Sequence, residues 1–475
     1  MGSVSESAVC CACFSVLGKH VFYSDSELEQ LRVADVSDTE VEHIKNLMLL
    51  PEQNLEDLFE QWLRDVRSRE RRHETGMVFT PDATVLEMEA SLEAHSFERV
   101  IDCGCGAGRF ALHACDMLLQ KSVGARVIAY DTDPLACLLT QTAACIMGLP
   151  VEVRREDFLF VRLPQAEGKT AFIGNPPYVK HHGMSARQKE QGLRLARELG
   201  LKGWSRLSGL HALFIAKCLS MSCPGDVLCF LTGAEWLDVN YGAPLRRAFA
   251  SSVGGGQLLK LYSADVALFN NVQSTALISV WEPSCSKTSR VVYSYVDMES
   301  NAVTQSKTWD ELLSVPKWSS RYVVGPCDDV PDEYIELGEL FRVSRGVVTG
   351  NNGYFVMGKN ECERSGLAPN CRPVVAKAAD IPHDACTVGA ANLKKVLLLA
   401  PDAIPDDDRA LLEYIDAGEE QGVNKGHIAS SRKTWWHITF RPAPILATYM
   451  GRGRPRFALN PERLPNLNTV HGLYP

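Results

Sequence analysis

The 475-residue sequence has no apolar run that approaches the ~20 residues needed to span a bilayer. Its first residues, MGSVSESAVCCACF, lack the basic start of a secretory signal. Glu6 stands where the myristoylation pattern requires Ser or Thr. These absences predict a cytoplasmic protein that does not use a membrane.

The 16 cysteines show no repeated CxxC spacing, and the only dense group is Cys10, Cys11 and Cys13. Scattered cysteines of this kind are typical of reduced intracellular thiols, so we expect neither disulfides nor a metal site. The net charge of −9 excludes a uniformly basic surface. Any nucleic acid must therefore be bound by local basic patches.

The length predicts more than one domain. Glu-, Leu- and Arg-rich helical spacing marks an N-terminal helical extension over residues 1–75, and alternating strands and helices mark an α/β domain over 76–285. The alternation fades over 286–334, which we interpret as a connector. Residues 335–475 have many Gly, Pro and Asn turns and predict a mixed α+β domain.

A glycine-rich turn occupies VIDCGCGAGRF, residues 100–110. A strand runs into Asp102, and Gly104, Gly106 and Gly108 let the backbone turn tightly and a ligand approach closely. The spacing is G-x-G-x-G and not the dinucleotide pattern G-x-G-x-x-G. Together with the acid two residues before the first glycine, this favours a methionine-bearing nucleoside over a pyrophosphate.

Carboxylates end the next two predicted strands. Asp131, in VIAYDTDPLAC, can accept from both hydroxyls of a ribose, whereas Asp133 is the competing candidate and can instead cap the helix that begins at Pro134. Asp157 in RREDFLF can accept from an adenine amine, and Phe158 can stack on the adenine ring. These residues extend the predicted nucleoside site.

A rigid corner follows the fourth strand in FIGNPPYVKHH, residues 172–182. Pro176 and Pro177 forbid helix and remove two backbone donors, so their carbonyls are free to face a ligand. Asn175 adds a fixed carboxamide and Tyr178 a flat ring, which suits a planar group that carries an NH2. The alternative is a loop that ends the strand and whose tyrosine only packs.

With TGMVFTPDAT upstream, these stretches resemble the S-adenosylmethionine-dependent N6-adenine DNA methyltransferases of the γ order, in which cofactor motifs precede the catalytic corner and a target-recognition domain follows. The resemblance covers residues 70–285 closely and 335–475 more loosely, where segments are similar to the methyltransferase portion of type IIG restriction-modification enzymes. One departure is that many relatives have Asp-Pro-x-x-Gly-x-Gly where Asp102 is followed by Cys103-Gly104.

The resemblance implies a Rossmann-like class I methyltransferase sheet with helices on both faces, and S-adenosyl-L-methionine as cofactor. It places Thr80 and Pro81 over the methionine end of the cofactor, although this pair also reads as an ordinary helix start. The other implied roles are the binding turn for Gly104 and Gly106, the ribose for Asp131, the cofactor adenine for Asp157 and Phe158, and a second aromatic against the target base for Phe269.

The corner explains the implied chemistry. Adenine N6 is a poor nucleophile because its lone pair is delocalised into the ring. If Asn175 Oδ1 and the Pro176 carbonyl accept hydrogen bonds from its two hydrogens, the nitrogen can pyramidalise. Direct transfer needs no covalent enzyme intermediate and no metal. A base inside a duplex cannot reach such a pocket, so we expect it to rotate out and stack on Tyr178 and Phe269.

Two basic stretches flank these motifs: residues 180–206 hold seven Lys or Arg against two Glu, and residues 430–463 hold seven against one. Such runs are usually solvated faces, but beside a catalytic corner they favour contacts with the phosphates of double-stranded DNA. The candidate contacts are Lys180, Arg187, Lys189, Arg432, Lys433, Arg452 and Arg454.

Three rivals share some of these features: a protein-glutamine N5 methyltransferase, an RNA adenine methyltransferase and a catalytically silent DNA-reading subunit. The long C-terminal region disfavours the first, and the intact motifs disfavour the last. The sequence ends shortly after Leu467, Val470 and Leu473, which we expect to need cover. Three explanations compete: a truncated recognition domain, a shorter self-sufficient domain, or a missing element supplied by a second protein subunit, and we favour incomplete recognition by this chain alone.

Overall fold

The computed structural model divides into two compact units, Met1–Asp328 and Asp329–Pro475. It describes residues 4–50, 54–120, 124–262, 275–283, 290–296, 302–315, 317–319, 335, 337–383, 386–448 and 455–475. Phe269, Arg452 and Arg454 lie outside these described residues, so the expectations for them stay predictions.

The first unit is built on a nine-stranded sheet in the order β3-β2-β1-β4-β5-β7-β6-β8-β9. The first five strands in that order are parallel, and β7 runs antiparallel between β5 and β6. The strands are β1 (Arg99–Asp102), β2 (Arg126–Asp131), β3 (Val151–Arg155), β4 (Thr170–Gly174), β5 (Val227–Gly233), β6 (Gly256–Tyr262), β7 (Ala276–Trp281), β8 (Arg290–Val296) and β9 (Ala302–Thr308).

Helices cover both faces of this sheet, and alternate strand residues point to opposite faces. Val100 belongs to the core on one face and Ile101 to the core on the other. The helices are α1 (Glu6–Leu17), α2 (Asp25–Gln30), α3 (Asp38–Met48), α4 (Leu55–Val66), α5 (Arg69–Thr75), α6 (Asp82–Ala90), α7 (Arg109–Gln120), α8 (Pro134–Met147), α9 (Ala186–Glu198), α10 (Leu210–Met221), α11 (Ala243–Phe249) and α12 (Trp309–Ser314). The predicted Rossmann-like class I sheet is confirmed.

The N-terminal helices are part of the core of the first unit. In α4, Leu55, Phe59, Trp62 and Leu63 recur at helical spacing and are buried in the same cluster as α6, α7 and α8. Helices α1, α3 and α4 therefore pack into the core on one face of the sheet.

The described part of the stretch interpreted as a connector, within 286–334, differs from that expectation, and the rest of it lies outside the described residues. Residues 290–296 and 302–308 pair as an antiparallel hairpin, and β8 also pairs with β6, so the sheet continues past residue 285. Val291 and Tyr293 are buried at alternate positions of RVVYSYV. This period of two is a strand pattern that the surrounding polar residues obscure.

The second unit is mixed α+β, as predicted. It contains a four-stranded antiparallel sheet in the order β10-β16-β14-β15 and a three-stranded sheet in the order β11-β13-β12. The strands are β10 (Arg342–Arg345), β11 (Val356–Gly358), β12 (Cys371–Pro373), β13 (Lys395–Leu398), β14 (Ile445–Thr448), β15 (Phe457–Leu459) and β16 (Val470–Tyr474). Its helices are Leu337–Leu340, Asn352–Phe355, Lys359–Arg364, Arg409–Glu420 and His427–Ser430.

The expectation that Leu467, Val470 and Leu473 need cover is wrong. β16 is an interior strand between β10 and β14, and all three side chains are buried, with Leu467 and Val470 in core clusters of the second unit. Gly472 allows the close pairing, because a Cβ there would meet Ala443 Cβ at 2.5 Å. The predicted second subunit thereby loses the support of these three residues, and it stays a prediction.

Within the described ranges, none of the helices is both long enough and apolar enough to cross a membrane.

Two leucines of the same C-terminal sheet test this core. Leu473 is 1% exposed and Leu459 is 53% exposed. We expect Leu473→Ala to lower the free energy of unfolding of the second unit by about 2–5 kcal/mol, because it leaves a cavity. The matched control Leu459→Ala should change it by no more than about 0.5 kcal/mol. Urea unfolding of the full chain measures both, and equal effects would contradict the interior position of β16.

Candidate active site

The carboxyl ends of β1, β2, β3 and β4 meet at one edge of the sheet, because these strands are parallel. A cavity of about 570 Å³ lies at this edge. Its wall contains many of the residues singled out in the sequence, namely Gly104, Gly106, Asp131, Asp157, Phe158, Asn175 and Pro177.

The glycine-rich turn opens one side of the cavity. Gly106 has a φ of +54°, and a Cβ at Gly104 or Gly106 would meet no atom within 4 Å. Gly108 serves packing instead, since a Cβ there would lie 2.8 Å from Thr140 Cγ2 on α8. The first two glycines thus leave space for a ligand, and the third lets the turn approach the helix.

Asp131 at the end of β2 is held by two backbone donors. The Asp133 N–H donates to Asp131 Oδ1 at 2.9 Å and the Gly106 N–H to Asp131 Oδ2 at 3.0 Å. Burial raises the pKa of Asp131 to about 6. Asp133 does cap α8, since it accepts from the Leu135 N–H at 2.9 Å. Asp131 is therefore the carboxylate at the end of β2, and Asp133 is the separate carboxylate that caps the start of α8.

Asp102 is fully buried at the end of β1. Its Oδ1 accepts from the Gly104 N–H at 3.3 Å, and its Oδ2 has no hydrogen-bond partner within the described residues. Burial raises the pKa of Asp102 to about 7, and the nearby charge of Asp131 adds to the rise. Asp102 is thus an acid that is costly to ionise in the ligand-free protein.

Asp157 and Phe158 lie in the cavity wall after β3. The Asp157 carboxylate accepts from the Leu159 N–H at 3.1 Å, and burial raises its pKa. The Phe158 ring is 2% exposed and stacks on Phe214, with ring centroids 6.0 Å apart. The contact with Phe214 therefore holds the Phe158 ring in position.

The Asn-Pro-Pro-Tyr corner is pinned by the segment before α6. Asn175 Nδ2 donates to Thr80 Oγ1 at 3.1 Å and lies 3.4 Å from the Val78 carbonyl oxygen. The Tyr178 N–H donates to the Gly76 carbonyl at 3.0 Å. Asn175 Oδ1 is buried and has no hydrogen-bond partner among the residues described. The carboxamide therefore presents its acceptor and not its donor.

Thr80 and Pro81 do not line the cavity just described. They line a neighbouring cavity of about 450 Å³ together with Asp57, Glu60, Asp82 and Arg109. The Thr80 hydroxyl is within hydrogen-bond distance of the Asn175 carboxamide. In this structure Thr80 thus contacts the corner, and its implied role at the methionine end stays a prediction.

Charged residues to which the sequence analysis assigned no role complete the rim. Arg67, Arg155 and Glu27 line the main cavity. Arg155 donates to both carboxylate oxygens of Glu27, at 2.9 and 2.6 Å, and to the Phe22 carbonyl at 2.6 Å. The sequence analysis missed these residues, because their partners lie more than 60 positions away and no local pattern connects them.

The predicted DNA contacts differ in their surroundings. Lys180 and Arg187 are exposed, Lys189 is partly exposed on α9, and the Arg187 guanidinium lies 3.8 Å from the centre of the Phe160 ring. In the second unit Lys433 is exposed. Arg432 instead donates to the carbonyls of Thr349 at 2.7 Å, Val348 at 2.8 Å and Trp435 at 3.1 Å. Its guanidinium therefore joins the loop that contains Val348 and Thr349 to the segment that contains Arg432 and Trp435.

Glu56, Asp82 and His113 bring possible metal-ligand atoms within 4.8 Å of one another. The Arg109 guanidinium contacts Asp82 and lies 3.8 Å from Glu56, so a positive charge is already present among these carboxylates. Hydrogen bonds to Glu56 and Glu89 raise the pKa of His113 to about 10. A protonated His113 is a donor and not a metal ligand.

Asp102→Asn tests the buried acid. Between pH 4 and 7 the folded state retains a proton that the unfolded state loses, so stability falls as the pH rises through this window. We expect Asp102→Asn to raise the free energy of unfolding by about 1–3 kcal/mol at pH 8 and by little at pH 4. Urea unfolding of the ligand-free protein at both pH values measures this. The exposed Asp406→Asn is the control, and an equal gain at both pH values would contradict the assignment.

Comparison with known proteins places the chain in a family. Residues 330–475 match the C-terminal domain of the type II methyltransferase M.Eco57I, and residues 153–266 match the Eco57I restriction-modification methylase. In overall structure the chain is similar to the type IIL restriction-modification enzyme MmeI, solved in complex with DNA. The TM-score is 0.61 at 12% identity, over 97% of this chain and 73% of that one, which shows a shared fold.

Curated relatives agree with the family match. The chain is 23% identical to the type II methyltransferase M.AccI of Acinetobacter calcoaceticus over 328 residues, which cover 63% of this chain and 58% of that protein. It is 34% identical to the type II methyltransferase M.XamI of Xanthomonas campestris pv. amaranthicola over 419 residues, which cover 85% of this chain and 77% of that protein. The chain therefore belongs to the type II DNA methyltransferase family.

Proposed function

We propose that this DNA methyltransferase transfers the methyl group of S-adenosylmethionine to N6 of an adenine that has rotated out of double-stranded DNA. The observation that carries the proposal is the orientation of Asn175. Its Nδ2 is engaged by Thr80 and Val78, and its buried Oδ1 has no partner within the described residues. A buried acceptor of this kind requires a donor, and an aromatic amine supplies one.

The cavity residues fit S-adenosylmethionine. The volume of about 570 Å³ is in the range of small-molecule sites. Asp131 would accept from the ribose hydroxyls, because each carboxylate oxygen has capacity beyond its one backbone donor. Gly104 and Gly106 would leave room beside the ligand. The cofactor supplies a methyl group made electrophilic by a sulfonium.

The corner would act on the amine. Asn175 Oδ1 and the Pro176 carbonyl would accept hydrogen bonds from the two N6 hydrogens, and the positive charge that develops on nitrogen would meet acceptors that are already oriented. Loss of one N6 proton to solvent would then leave neutral N6-methyladenine beside S-adenosylhomocysteine. Proline provides no N–H that could donate to the amine. Because the carboxamide is fixed before the substrate arrives, little reorganisation is needed during the reaction.

The target base must leave the helix to reach this corner. Tyr178 follows directly, its main chain is tied to the Gly76 carbonyl, and its ring would stack on the base. Base stacking on one aromatic ring contributes roughly 1–3 kcal/mol and offsets part of the cost of unstacking. Phe269 is proposed as the second ring. Lys180, Arg187, Lys189 and Lys433 would contact phosphates.

Of the rival functions, methylation of RNA uses the same chemistry, and only a comparison of DNA and RNA substrates distinguishes it from methylation of DNA. Methylation of a protein glutamine fits less well, because the chain shares 85% of its length with a type II methyltransferase. A silent DNA-reading subunit does not account for an oriented Asn175 beside a cavity lined by Asp131 and Asp157.

The test is nucleoside analysis after reaction. Purified protein is incubated with duplex DNA, RNA or a release-factor protein and methyl-labelled S-adenosylmethionine. We expect the label in N6-methyladenine from DNA alone, and its loss by at least about 100-fold in Asn175→Ala. Binding of S-adenosylhomocysteine should be retained by that variant, since Asn175 is proposed to act on the base.

Asn360→Ala, a change at an exposed site on the helix Lys359–Arg364, is the matched control and should keep full activity. Label in a cytosine product, in RNA or in protein would refute the proposed reaction. Undiminished N6-methyladenine from Asn175→Ala would refute the proposed role of the corner.

A further inference from the structure

Arg67, at the end of α4, joins the N-terminal helices to the ribose side of the cavity. Its Nε donates to Asp133 Oδ2 at 2.8 Å and its Nη2 to Asp133 Oδ1 at 2.7 Å. The same guanidinium contacts Glu6 on α1, with Nη2 2.9 Å from Oε1. Arg67 also lines the main cavity, and only 13% of its side chain is exposed. Arg67 and Asp133 therefore form a bidentate ion pair that is largely shielded from solvent.

The contacts continue from Arg67 to the proposed ribose ligand. Asp133 accepts from Arg67 through its side chain and donates its backbone N–H to Asp131 Oδ1. The turn between β2 and α8 is thus fixed at one end by Arg67 and at the other by Gly106, whose N–H donates to Asp131 Oδ2. Displacement of Asp133 would move a donor that orients Asp131.

The charges around this turn are mostly negative. Groups that face Asp131 from the packed elements are Asp102, Cys105, Asp133, Cys137, Arg155 and Glu156. Burial raises the pKa of both thiols well above the physiological range, so they are neutral. Arg155 is paired with Glu27. Burial alone would raise the pKa of Asp133, but the Arg67 hydrogen bonds and charge lower it below its usual value.

We propose that Arg67 is a positioning residue for the cofactor: it fixes the Asp131–Pro134 turn and neutralises Asp133, so that Asp131 keeps its negative charge and its orientation toward the ribose hydroxyls. This inference rests on the proposed function, because it assumes that the cavity binds S-adenosylmethionine. It assigns a role to the N-terminal helical layer, since the guanidinium that controls Asp131 comes from α4.

The test is calorimetric binding of S-adenosylhomocysteine between pH 5 and 9, which needs no turnover. Wild type should lose affinity as the pH falls through about 6, because a protonated Asp131 accepts poorly from the ribose. In Arg67→Met, removal of a positive charge favours protonation of the two carboxyls. We expect binding to weaken about tenfold at pH 7.5 and the midpoint to move up by about one pH unit.

Three variants separate charge from packing. Arg67→Lys keeps the charge and should keep the midpoint, with partial loss of affinity because a lysine cannot bind bidentately. Glu6→Gln breaks the contact with α1 but removes a negative charge, so its midpoint should stay or move down. Arg126→Met removes an exposed ion pair with Glu152 at the opposite end of β2 and should change neither quantity.

If Arg67→Met bound S-adenosylhomocysteine more weakly but kept the midpoint of the pH dependence, the proposal would be overturned and Arg67 would be a packing residue. An equal upward shift in Glu6→Gln would also overturn it, because the shift would then follow the loss of the α1 contact and not the charge. If wild type failed to bind S-adenosylhomocysteine at any pH, the proposed function itself would be wrong. Thermal unfolding of each variant establishes that it is folded.

Discussion

The fixed orientation of the Asn175 carboxamide is the constraint on which the proposed chemistry depends. An amide can present either its NH2 or its oxygen, and only the oxygen can accept from an incoming amine. Thr80 Oγ1 and the Val78 carbonyl attract the NH2, which leaves Oδ1 buried and available. The segment that supplies them is itself tied to the corner, through the hydrogen bond between Gly76 and Tyr178.

The N-terminal helices and the segment that follows them contact different parts of the site. α4 packs its apolar face into the core of the first unit, and Arg67 directly after it reaches the turn after β2. The segment after α5 continues into Gly76 and Thr80, which contact the corner. The N-terminal layer therefore supports the nucleoside side of the site, and the segment after it supports the amine side.

The sequence predicted those parts of the structure that depend on residues close together along the chain. The strands β1 to β4 follow from apolar runs bounded by turns, and the cluster of Gly104, Asp131 and Asn175 follows from the meeting of parallel strand ends. The burial of Val470 and Leu473 and the role of Arg67 depend on partners far along the chain. Such pairings leave no periodic signal, and the hairpin of β8 and β9 was hidden because most of its outer strand is exposed.

Thr80→Val tests the central claim most directly, because it removes the hydroxyl that orients Asn175 and nearly preserves the side-chain volume. Turnover on duplex DNA and the affinity for S-adenosylhomocysteine are measured on the same preparations. If Thr80 orients the carboxamide, turnover falls by at least about tenfold while affinity stays within about twofold. A loss of affinity with unchanged turnover by the bound enzyme would show that Thr80 acts on the cofactor, and would contradict the account of the corner given above.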